Sequence, residues 1–324
     1  MACFGALLAR AQDSSRSRDL LQAAHQASGL ARITPYRMTA DVVVNPLAPT
    51  PVKGRIAIYR DKDRSRYELQ LQDYREIKLE LGSKLYVARS LPYPVPGLSM
   101  LREADHAWDR FVDQGDAKLG DVQHKKVQHI QADCFEMKTE QRERLCFDPA
   151  RNVLLESMDQ AKALEFSDYT PVEHQLVPHK ITVLLELPTE EKPIMTLDNI
   201  QVTEAQFEAG AFAIPEHAQE FDTCGNLQPA KAVRAPAPEF SPTVQRRNAG
   251  SPVVHVYGIV DKDGNLQNPI ILSSDADVRS STLEALKKWH YTPATCGTTP
   301  VASEQEIEVR LFGGEGGEGM RSRR

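Results

Sequence analysis

Five cysteines offer the clearest chemistry in this sequence, and the spacing of four of them is suited to disulfide formation. Cys134 and Cys146 lie in two short strand-like segments on either side of a polar stretch, residues 140–144. A hairpin of this kind brings two Cβ atoms within disulfide distance. Cys224 and Cys296 bracket the C-terminal region. The sequence therefore predicts the pairs Cys134–Cys146 and Cys224–Cys296.

The histidines do not form a pattern that is typical of a metal or catalytic site. His124 and His129 are five residues apart, as are His174 and His179, and this spacing suits neither one face of a strand nor an H-E-x-x-H helix. There is no C-x2-C pair, P-loop, G-x-G-x-x-G segment or nucleophile elbow. We therefore expect no catalytic residue, metal or cofactor, and we expect that the protein is not an enzyme.

The cysteines and the N-terminus both favour export from the cytosol. Disulfides persist in oxidising compartments such as the periplasm. The apolar run Met1–Ala9 is shorter than the roughly 20 residues that span a bilayer. Ala9-Arg10-Ala11 matches an A-x-A cleavage site, although the basic segment of a signal peptide is missing. We interpret residues 1–11 as the remnant of a signal peptide; the alternative is a cytosolic protein with buried free cysteines.

Composition excludes several classes of function. The chain has 324 residues, enough for about two domains. Its net charge of −6 gives no general attraction to a polyanion, so nucleic acid is not an expected partner. A mean hydropathy of −0.44 excludes a polytopic membrane protein, and we expect no transmembrane span.

The elements that would position these residues are mostly strands. Residues 17–29 have a helical pattern, whereas apolar residues alternate with polar ones in Tyr67–Leu81 and again within residues 55–59, 181–187 and 194–202. Short turns between these segments favour an antiparallel meander. One face of it is a candidate apolar ligand face, formed by Leu69, Leu71, Leu79, Ile181, Val183 and Leu185. The alternative is that these residues form a closed core.

The C-terminal region has a different pattern. Residues 223–250 are rich in Pro and Ala, which is typical of a linker or extended lead-in. Two strands joined by an Asp261–Gly264 turn, a helix from Ser274 to Trp289 and a last strand then give the order β-β-α-β. Residues 313–324 are rich in Gly and charged residues, and we expect them to be disordered.

Residues 251–312 resemble the TonB C-terminal domain family. The similarity lies in a strand, a D-x-D-G turn, a helix that ends in Trp and an aromatic-x-Pro-Ala segment; these are Val254–Leu266, Ile271–Ser274, Leu283–Trp289, Tyr291–Ala294 and Glu308–Phe312. The resemblance implies a small α/β sandwich that contacts envelope partners by adding a strand to the sheet edge. The candidate edge strand contains Gln305, Ile307, Val309 and Leu311, unless the chain itself caps that edge. The long periplasm-spanning segment of TonB is missing, so energy coupling is not implied.

Residues 17–222 resemble, more loosely, LolA-like outer-membrane lipoprotein-sorting proteins. The similarity lies in the helix, the serial amphipathic strands and three later segments, Phe166–Pro171, Leu176–Val183 and Phe207–Pro215. The resemblance implies a curved, half-open antiparallel sheet whose concave apolar face holds acyl chains.

Taken together, the sequence predicts an α+β protein: a curved antiparallel half-barrel with an N-terminal helix in residues 12–222, and a ββαβ two-layer sandwich in residues 251–312. The expected function is that of a non-enzymatic periplasmic binding protein. Its first domain would hold a hydrophobic ligand or a lipoprotein acyl chain, and its second would dock to an envelope protein. The alternative is a structural scaffold of two closed modules without a ligand.

Overall fold

The computed structural model describes residues 4–95, 98, 101, 108, 118–138, 142–159, 162–186, 191–241, 243, 253–272, 276–310 and 322–323. Within these residues, the α-helices α1 (Phe4–Ser28) and α2 (Ala276–Leu286) accompany a large number of strands. The strands of the first two thirds are β1 (Tyr36–Val44), β2 (Val52–Asp61), β3 (Arg64–Leu71), β4 (Tyr74–Leu81), β5 (Lys84–Arg89), β6 (Lys118–Leu119), β7 (Gln123–Val127), β8 (Ile130–Lys138), β9 (Glu143–Asp148), β10 (Val153–Met158), β11 (Lys162–Ser167), β12 (Thr170–Val172), β13 (Gln175–Val177), β14 (Lys180–Glu186) and β15 (Glu191–Glu204).

The remaining strands follow residue 218. They are β16 (Gln219–Asp222), β17 (Leu227–Gln228), β18 (Lys231–Arg234), β19 (Val253–Val260), β20 (Leu266–Ile271), β21 (His290–Thr292), β22 (Ala294–Cys296), β23 (Thr299–Val301), β24 (Ser303–Arg310) and β25 (Ser322–Arg323). No helix in the part of the chain that the structure describes is both long enough and apolar enough to cross a membrane.

The chain divides into two compact units. Unit 1 contains residues 1–75 and 100–213, and unit 2 contains residues 76–99 and 214–324. The sequence analysis places residues 76–99 in the first domain, whereas in the structure they cluster with the C-terminal residues. Each unit is described by itself below.

Unit 1 is mainly a curved antiparallel sheet with few helices, as the alternating pattern predicts. Its strands lie in the order β3-β2-β1-β15-β14-β11-β10-β9-β8-β6, with β7 also paired to β8. Strand β1 pairs with β15 along its length, so residues near 40 and near 200 are neighbours. The meander is therefore confirmed, and a long-range pairing lies in its centre.

One face of this sheet is apolar and buried. Register places Leu71 opposite Gly54, Gly54 opposite Val42, and Val42 opposite Leu197 on four successive strands. The same row continues through Ile181 to Phe166. The five side chains of this row are at most 4% exposed: Leu71, Val42, Leu197, Ile181 and Phe166. Burial of aligned apolar residues across the strands is the main stabilising contribution to the sheet.

Helix α1 is longer than residues 17–29 and includes residues 4–11, which the sequence analysis interprets as the remnant of a signal peptide. It contacts β6, β10 and β13. Its most deeply buried described side chains are small: Ser17, Ala24 and Ser28. Ser17 Oγ donates to Gly120 O at 2.6 Å, and Arg16 forms an ion pair with Asp133 at 3.0 Å. The helix is therefore attached to the sheet largely by polar contacts and small side chains.

Unit 2 contains a four-stranded sheet in the order β20-β19-β24-β25, the neighbouring strands β16-β5-β4 and two small sheets, β17-β22-β23 and β18-β21. The order strand, strand, helix, strand predicted for residues 251–312 is present, with the short strands β21, β22 and β23 between α2 and β24. Val278, Thr282, Ala285 and Leu286 of α2 are buried, as the predicted helix face requires. The sequence Ser274-Asp275-Ala276-Asp277 is typical of a capping box at the start of this helix; Asp277 lies in its first turn, and Ser274 lies outside the described residues.

Two expectations for unit 2 are corrected. Residues 223–250 are not simply a linker, because β17 and β18 form there and Ala230 and Phe240 belong to the core that contains Trp289. The segment after residue 312 is not wholly without structure, because Ser322–Arg323 pairs with β24 at Ile307 and Glu306. In both cases pairing with a distant strand outweighs a composition that is typical of coil.

Candidate functional site

The two disulfides join the pairs that the sequence predicts. Cys134 and Cys146 lie opposite each other on β8 and β9, with Cα atoms 4.0 Å apart, and both are buried. Cys224 and Cys296 are bonded with Cα atoms 5.8 Å apart in unit 2. The first bond belongs to a small core with Val127, Ala132 and Leu155, and the second ties β22 to the segment before β17. Both have a structural role.

The predicted apolar ligand face is divided between the two units. Leu69 and Leu71 of β3 and Ile181, Val183 and Leu185 of β14 lie in unit 1, whereas Leu79 of β4 lies in unit 2. All are buried except Leu185, which is half-buried. None of the six lines either of the two cavities described below. In the structure, the five buried side chains are therefore covered by other parts of the protein.

The predicted edge strand corresponds to β24. Gln305, Ile307 and Val309 are at most 7% exposed, and Leu311 lies outside the described residues. One side of β24 pairs with β19 along its whole length. On its other side, Ser322–Arg323 occupies the positions opposite Ile307 and Glu306. The edge is therefore capped in part by the protein's own chain, the alternative that the sequence analysis left open.

An open polar groove lies on the other face of the sheet in unit 1, opposite the buried rows. It has a volume of about 440 Å³. Polar side chains of three adjacent strands line it: Arg37, Thr39 and Asp41 of β1, Arg55 of β2, and Asn199, Gln201 and Thr203 of β15. We call this the outer groove. No local pattern in the sequence indicates this groove, because its residues come from strands that are about 160 residues apart in the chain.

Asp41 organises one end of the outer groove. Its carboxylate accepts a hydrogen bond from Asn199 Nδ2 at 2.8 Å and lies 3.4 Å from Arg55 Nη2. Asn199 has a φ of 54°, in the left-handed region, and it lies in a bulge of β15, where residues 199 and 200 are opposite the single β1 residue Ala40. Left-handed non-glycine residues and bulges are frequent at functional sites because they redirect side chains.

A second cavity of about 510 Å³ shares Arg37 and Thr203 with the outer groove. Its aromatic wall is formed by Tyr59 and Phe207, whose ring centroids are 5.9 Å apart in an edge-to-face arrangement. The Arg37 guanidinium lies over the Tyr59 ring, 5.5 Å from its centroid. Phe212 extends the aromatic group behind Phe207. The polar groove and this aromatic wall are therefore continuous through Arg37.

Unit 2 contains a buried cluster of charged side chains. Arg89 of β5 donates to Glu304 of β24 through Nη1 at 2.5 Å and Nη2 at 2.9 Å, and it also pairs with Glu76 of β4. Tyr257 Oη donates to Glu304 at 2.6 Å, and Lys78 Nζ lies 3.4 Å from the same carboxylate. The side chains of Arg89 and Glu76 are only 7% and 2% exposed. This cluster fastens the β4–β5 hairpin to β19 and β24.

The cluster keeps Glu304 ionised. Burial by itself raises the pKa of this carboxyl, but the hydrogen bond from Arg89 and the charges of Lys78 and Arg89 lower it to about 2. Burial and the Glu304 carboxylate raise the pKa of Tyr257. The groups complement one another in charge, so the cluster needs no ligand to balance it.

The alternating sequence pattern does not predict this cluster, and the reason lies in the turn between β3 and β4. In the run Tyr67–Leu81 the positions predicted to be buried are all odd, but a turn at Gln72 and Asp73 separates β3 from β4, and burial in β4 is not restricted to odd positions. Glu76 is buried together with Leu79, and Ile77 is only half-buried. A buried glutamate at a position expected to face solvent is a signal that only the structure reveals.

The described residues contain no group of His, Cys, Asp and Glu side chains that could hold a metal ion. His124, which is largely exposed, places Nδ1 2.6 Å from Asp133 Oδ1, and the other oxygen of that carboxylate binds Arg16. The Asp133 carboxylate thus links β7 and β8 to α1. These contacts support structure, and the candidate binding surfaces remain the sheet interior, the outer groove and the β24 edge.

Comparisons with known proteins give structural neighbours only. No family model and no curated protein matches the chain. An outer membrane lipoprotein-sorting protein domain from Vibrio parahaemolyticus has a TM-score of 0.42 and 10% identity, and covers 62% of this chain and 97% of its own. A LolA superfamily protein from Nitrosomonas europaea has a TM-score of 0.40 and 12% identity, with 60% and 96% covered. A DUF1329 family protein from Desulfovibrio piger has a TM-score of 0.42 and 11% identity, with 62% and 96% covered. None of these comparisons identifies a TonB C-terminal domain in this chain.

Proposed function

We propose that this protein is a non-enzymatic binding protein of the bacterial periplasm that holds a hydrophobic ligand, a lipid or a lipoprotein acyl chain, inside unit 1. The observation that carries the proposal is the apolar face of its sheet. Rows of buried aliphatic and aromatic side chains cross six strands, from Leu71 to Phe166. In the part of helix α1 whose side chains are described, residues 15–28, the buried side chains are small: Ser17, Ala24 and Ser28. Such a helix is more easily displaced from an apolar face than a second apolar layer would be.

Trp108 supports the same proposal. Its side chain is 2% exposed, and its indole Nε1 has no hydrogen-bond acceptor in the described part of the structure. A buried polar group without a partner costs roughly 1 to 3 kcal/mol. Burying this side chain is therefore less favourable than burying an aliphatic group of similar volume. We place Trp108 among the side chains that a bound acyl chain displaces.

We propose export to the periplasm because the protein has two disulfides. A bond between Cys224 and Cys296, 72 residues apart, and a second between Cys134 and Cys146 would be reduced in a cytosol that keeps thiols reduced. Neither pair lies in a C-x-x-C motif, which is typical of redox-active pairs. Stable bonds in an oxidising compartment are the simplest explanation for both.

For unit 2 we propose docking to an envelope protein through the edge of β24, in the manner of a TonB-like domain. Its four-stranded sheet offers β20 as the other edge, but Pro269 in β20 lacks an N–H group and interrupts backbone pairing there. Ser322–Arg323 already pairs with β24, which supports the view that this edge accepts an added strand.

The ligand proposal is tested by secreting the full chain into a bacterial periplasm and purifying it without detergent. Lipid extraction followed by mass spectrometry is expected to recover a bound lipid in a fixed ratio to protein. A fluorescent apolar probe, N-phenylnaphthylamine, should bind the delipidated protein and be displaced by lysophospholipid. Trp108→Ala enlarges the interior and should bind the probe more tightly, whereas Leu47→Ala, at a side chain that is 70% exposed, should not change binding.

The absence of extractable lipid together with absence of probe binding would contradict the carrier and favour the scaffold of two closed modules. If Trp108→Ala and the parent protein bind the probe equally, the proposed role of Trp108 is wrong, but the carrier proposal is not contradicted.

Docking is tested separately, by a photo-crosslinking amino acid at Glu308 of β24 in intact cells. We expect a discrete crosslinked product with an envelope protein. The same amino acid at Glu284, an exposed position on α2, serves as the control and should give none. Equal products from both positions would argue against the β24 edge.

A further inference from the structure

We propose that the outer groove of unit 1 is a second binding site, specific for an acidic saccharide. In this complex a carboxylate or phosphate group of the ligand lies between Arg37 and Arg55, and its hydroxyl groups contact the side chains of β1 and β15. The site is on the opposite face of the sheet from the interior, so it does not depend on the lipid-binding proposal.

The register of three strands builds the floor of the groove. Tyr59, Arg37 and Thr203 form one cross-strand row, and Ala57, Thr39 and Gln201 form the next row on the same face. Arg55, Asp41 and Asp198 form the third row, and the Asp198 carboxylate is paired with Lys180 at 3.5 Å. Alanine and threonine in the middle row are short, whereas the arginines at the two ends are long. The middle row therefore forms a depression that both guanidinium groups can reach from adjacent strands.

The charge of the groove is opposite to that of the chain. Two arginines and one aspartate line it, a surplus of one positive charge, while the chain carries −6. Arg37 is exposed and, within the described part of the structure, is held only by the Tyr59 ring and has no carboxylate partner. Arg55 is 73% exposed on its side chain and donates to Asp41 Oδ1 through Nε and Nη2, both at 3.4 Å. Both arginines are exposed, so the remaining N–H groups of each guanidinium can reach a carboxylate or phosphate.

The remaining lining supplies neutral hydrogen-bonding groups at short intervals. Thr39 and Thr203 present hydroxyls, and Gln201 and Asn199 present amides. Asn199 is held by its hydrogen bond to Asp41, which leaves that carboxylate in a fixed position as an acceptor. Side chains that both donate and accept suit the vicinal hydroxyls of a sugar, and they would be poorly matched by an acyl chain.

The aromatic wall beside Arg37 extends the site. Tyr59 and Phe207 line the adjoining cavity together with Ala205, Gly210 and Ala211, which have little or no side chain. An adjacent sugar ring can pack its C–H face against this wall. The combination of an exposed arginine pair, amide and hydroxyl groups and an aromatic wall in an open groove favours an acidic oligosaccharide over a free anion.

The test is calorimetric titration of the full, disulfide-bonded chain with trigalacturonic acid, and with maltotriose as a neutral trisaccharide of equal length. We expect binding of the acidic trisaccharide that weakens with salt, and at least tenfold weaker binding of maltotriose. Arg37→Gln and Arg55→Gln should each raise the Kd for trigalacturonic acid about tenfold. Arg32→Gln, at an exposed arginine of unit 1 outside the groove, is the matched control and should leave the Kd unchanged.

Two further ligands distinguish other sources of the negative charge. Inorganic phosphate that binds as tightly as trigalacturonic acid would overturn the saccharide in favour of a simple anion site. Stronger binding to vesicles with anionic phospholipid than to the trisaccharide would overturn it in favour of a membrane surface. If the Arg32 and Arg37 substitutions change the Kd equally, or if no trisaccharide binds at millimolar concentration, the proposal that the outer groove is a binding site is wrong.

Discussion

At the scale of single residues, the D-x-D-G turn requires glycine at position 264 for a structural reason that is independent of binding. Its φ is +83°, and a Cβ atom there would lie 2.0 Å from the carbonyl oxygen of Tyr291. The amide of Tyr291 also donates to Gly264 O at 2.8 Å. The turn and strand β21 are therefore in close backbone contact, which only glycine permits.

We predict that Gly264→Ala lowers the free energy of unfolding by more than about 2 kcal/mol, because a strained φ and a backbone clash act together. Gly297→Ala is the matched control: its φ is +62°, but nothing lies within 4 Å of the added Cβ. It should cost only about 1 kcal/mol. Urea denaturation measures both, and equal midpoints for the two variants would contradict the close-contact explanation.

Glu304 is the second residue whose environment makes a measurable prediction. Its folded pKa of about 2 lies below the ordinary value of 4.5, so its contribution to stability is complete above pH 4.5 and is lost as the pH falls towards 2. Glu304→Gln removes one counter-charge of the buried Arg89 and should cost roughly 3 kcal/mol at pH 7.

The pH dependence provides the check. The difference in unfolding free energy between the parent protein and Glu304→Gln should shrink as the pH is lowered from 4.5 towards 2. Glu284→Gln, at a side chain that is 64% exposed, should have little effect on stability at pH 7. A difference that is constant over this range would mean that Glu304 is not ionised in the cluster.

At the scale of elements, the Cys224–Cys296 bond holds β22 to the chain segment that precedes β17. The two cysteines are 72 residues apart, and the bond therefore restricts the unfolded chain strongly. We predict that replacing both by alanine lowers the unfolding free energy by about 4 kcal/mol. Replacing Cys3, the fifth cysteine, by alanine is the control. Denaturant curves in the absence of reductant measure the effect; an unchanged midpoint in the double variant would show that the bond does not form.

The β4–β5 hairpin shows how sequence patterns mislead at this scale. An alternating run from Tyr67 to Leu81 predicts one phase of burial, and this phase is correct for Tyr67, Leu69 and Leu71. Beyond the turn at residues 72 and 73, Leu79 is still buried as predicted, but Tyr74 and Glu76 at even positions are buried as well. A turn can shift the phase by one residue, and periodicity across it then carries no information.

At the scale of the whole molecule, unit 2 is assembled from two distant parts of the chain. The residues of the cluster, Arg89 and Glu304, are 215 positions apart. We predict that hydrogen exchange of β5 and β24 amides is protected to the same extent, since both belong to one cooperative unit. In Glu304→Gln, protection should fall in Lys84–Arg89 and in Ser303–Arg310 together, while that of β14 in unit 1 is unchanged. Loss confined to β24 would contradict a shared unit.

The sequence alone determined what depends on neighbouring residues. Alternation of apolar and polar side chains specified the strands of unit 1, helical spacing specified the buried face of α2, and the spacing of four cysteines indicated both disulfides. Each of these follows from local periodicity or from a chemical requirement of the side chain.

Only the tertiary structure decided which strands meet. The pairing of β1 with β15 brings Arg37 to Thr203 and creates the outer groove, and the packing of β5 on the C-terminal sheet buries Glu76 with Arg89. It also turned a proline-rich lead-in into part of a core, through Ala230 and Phe240. Long-range pairing depends on the sum of many weak contacts across the sheet, and no single segment contains the information that selects its partner.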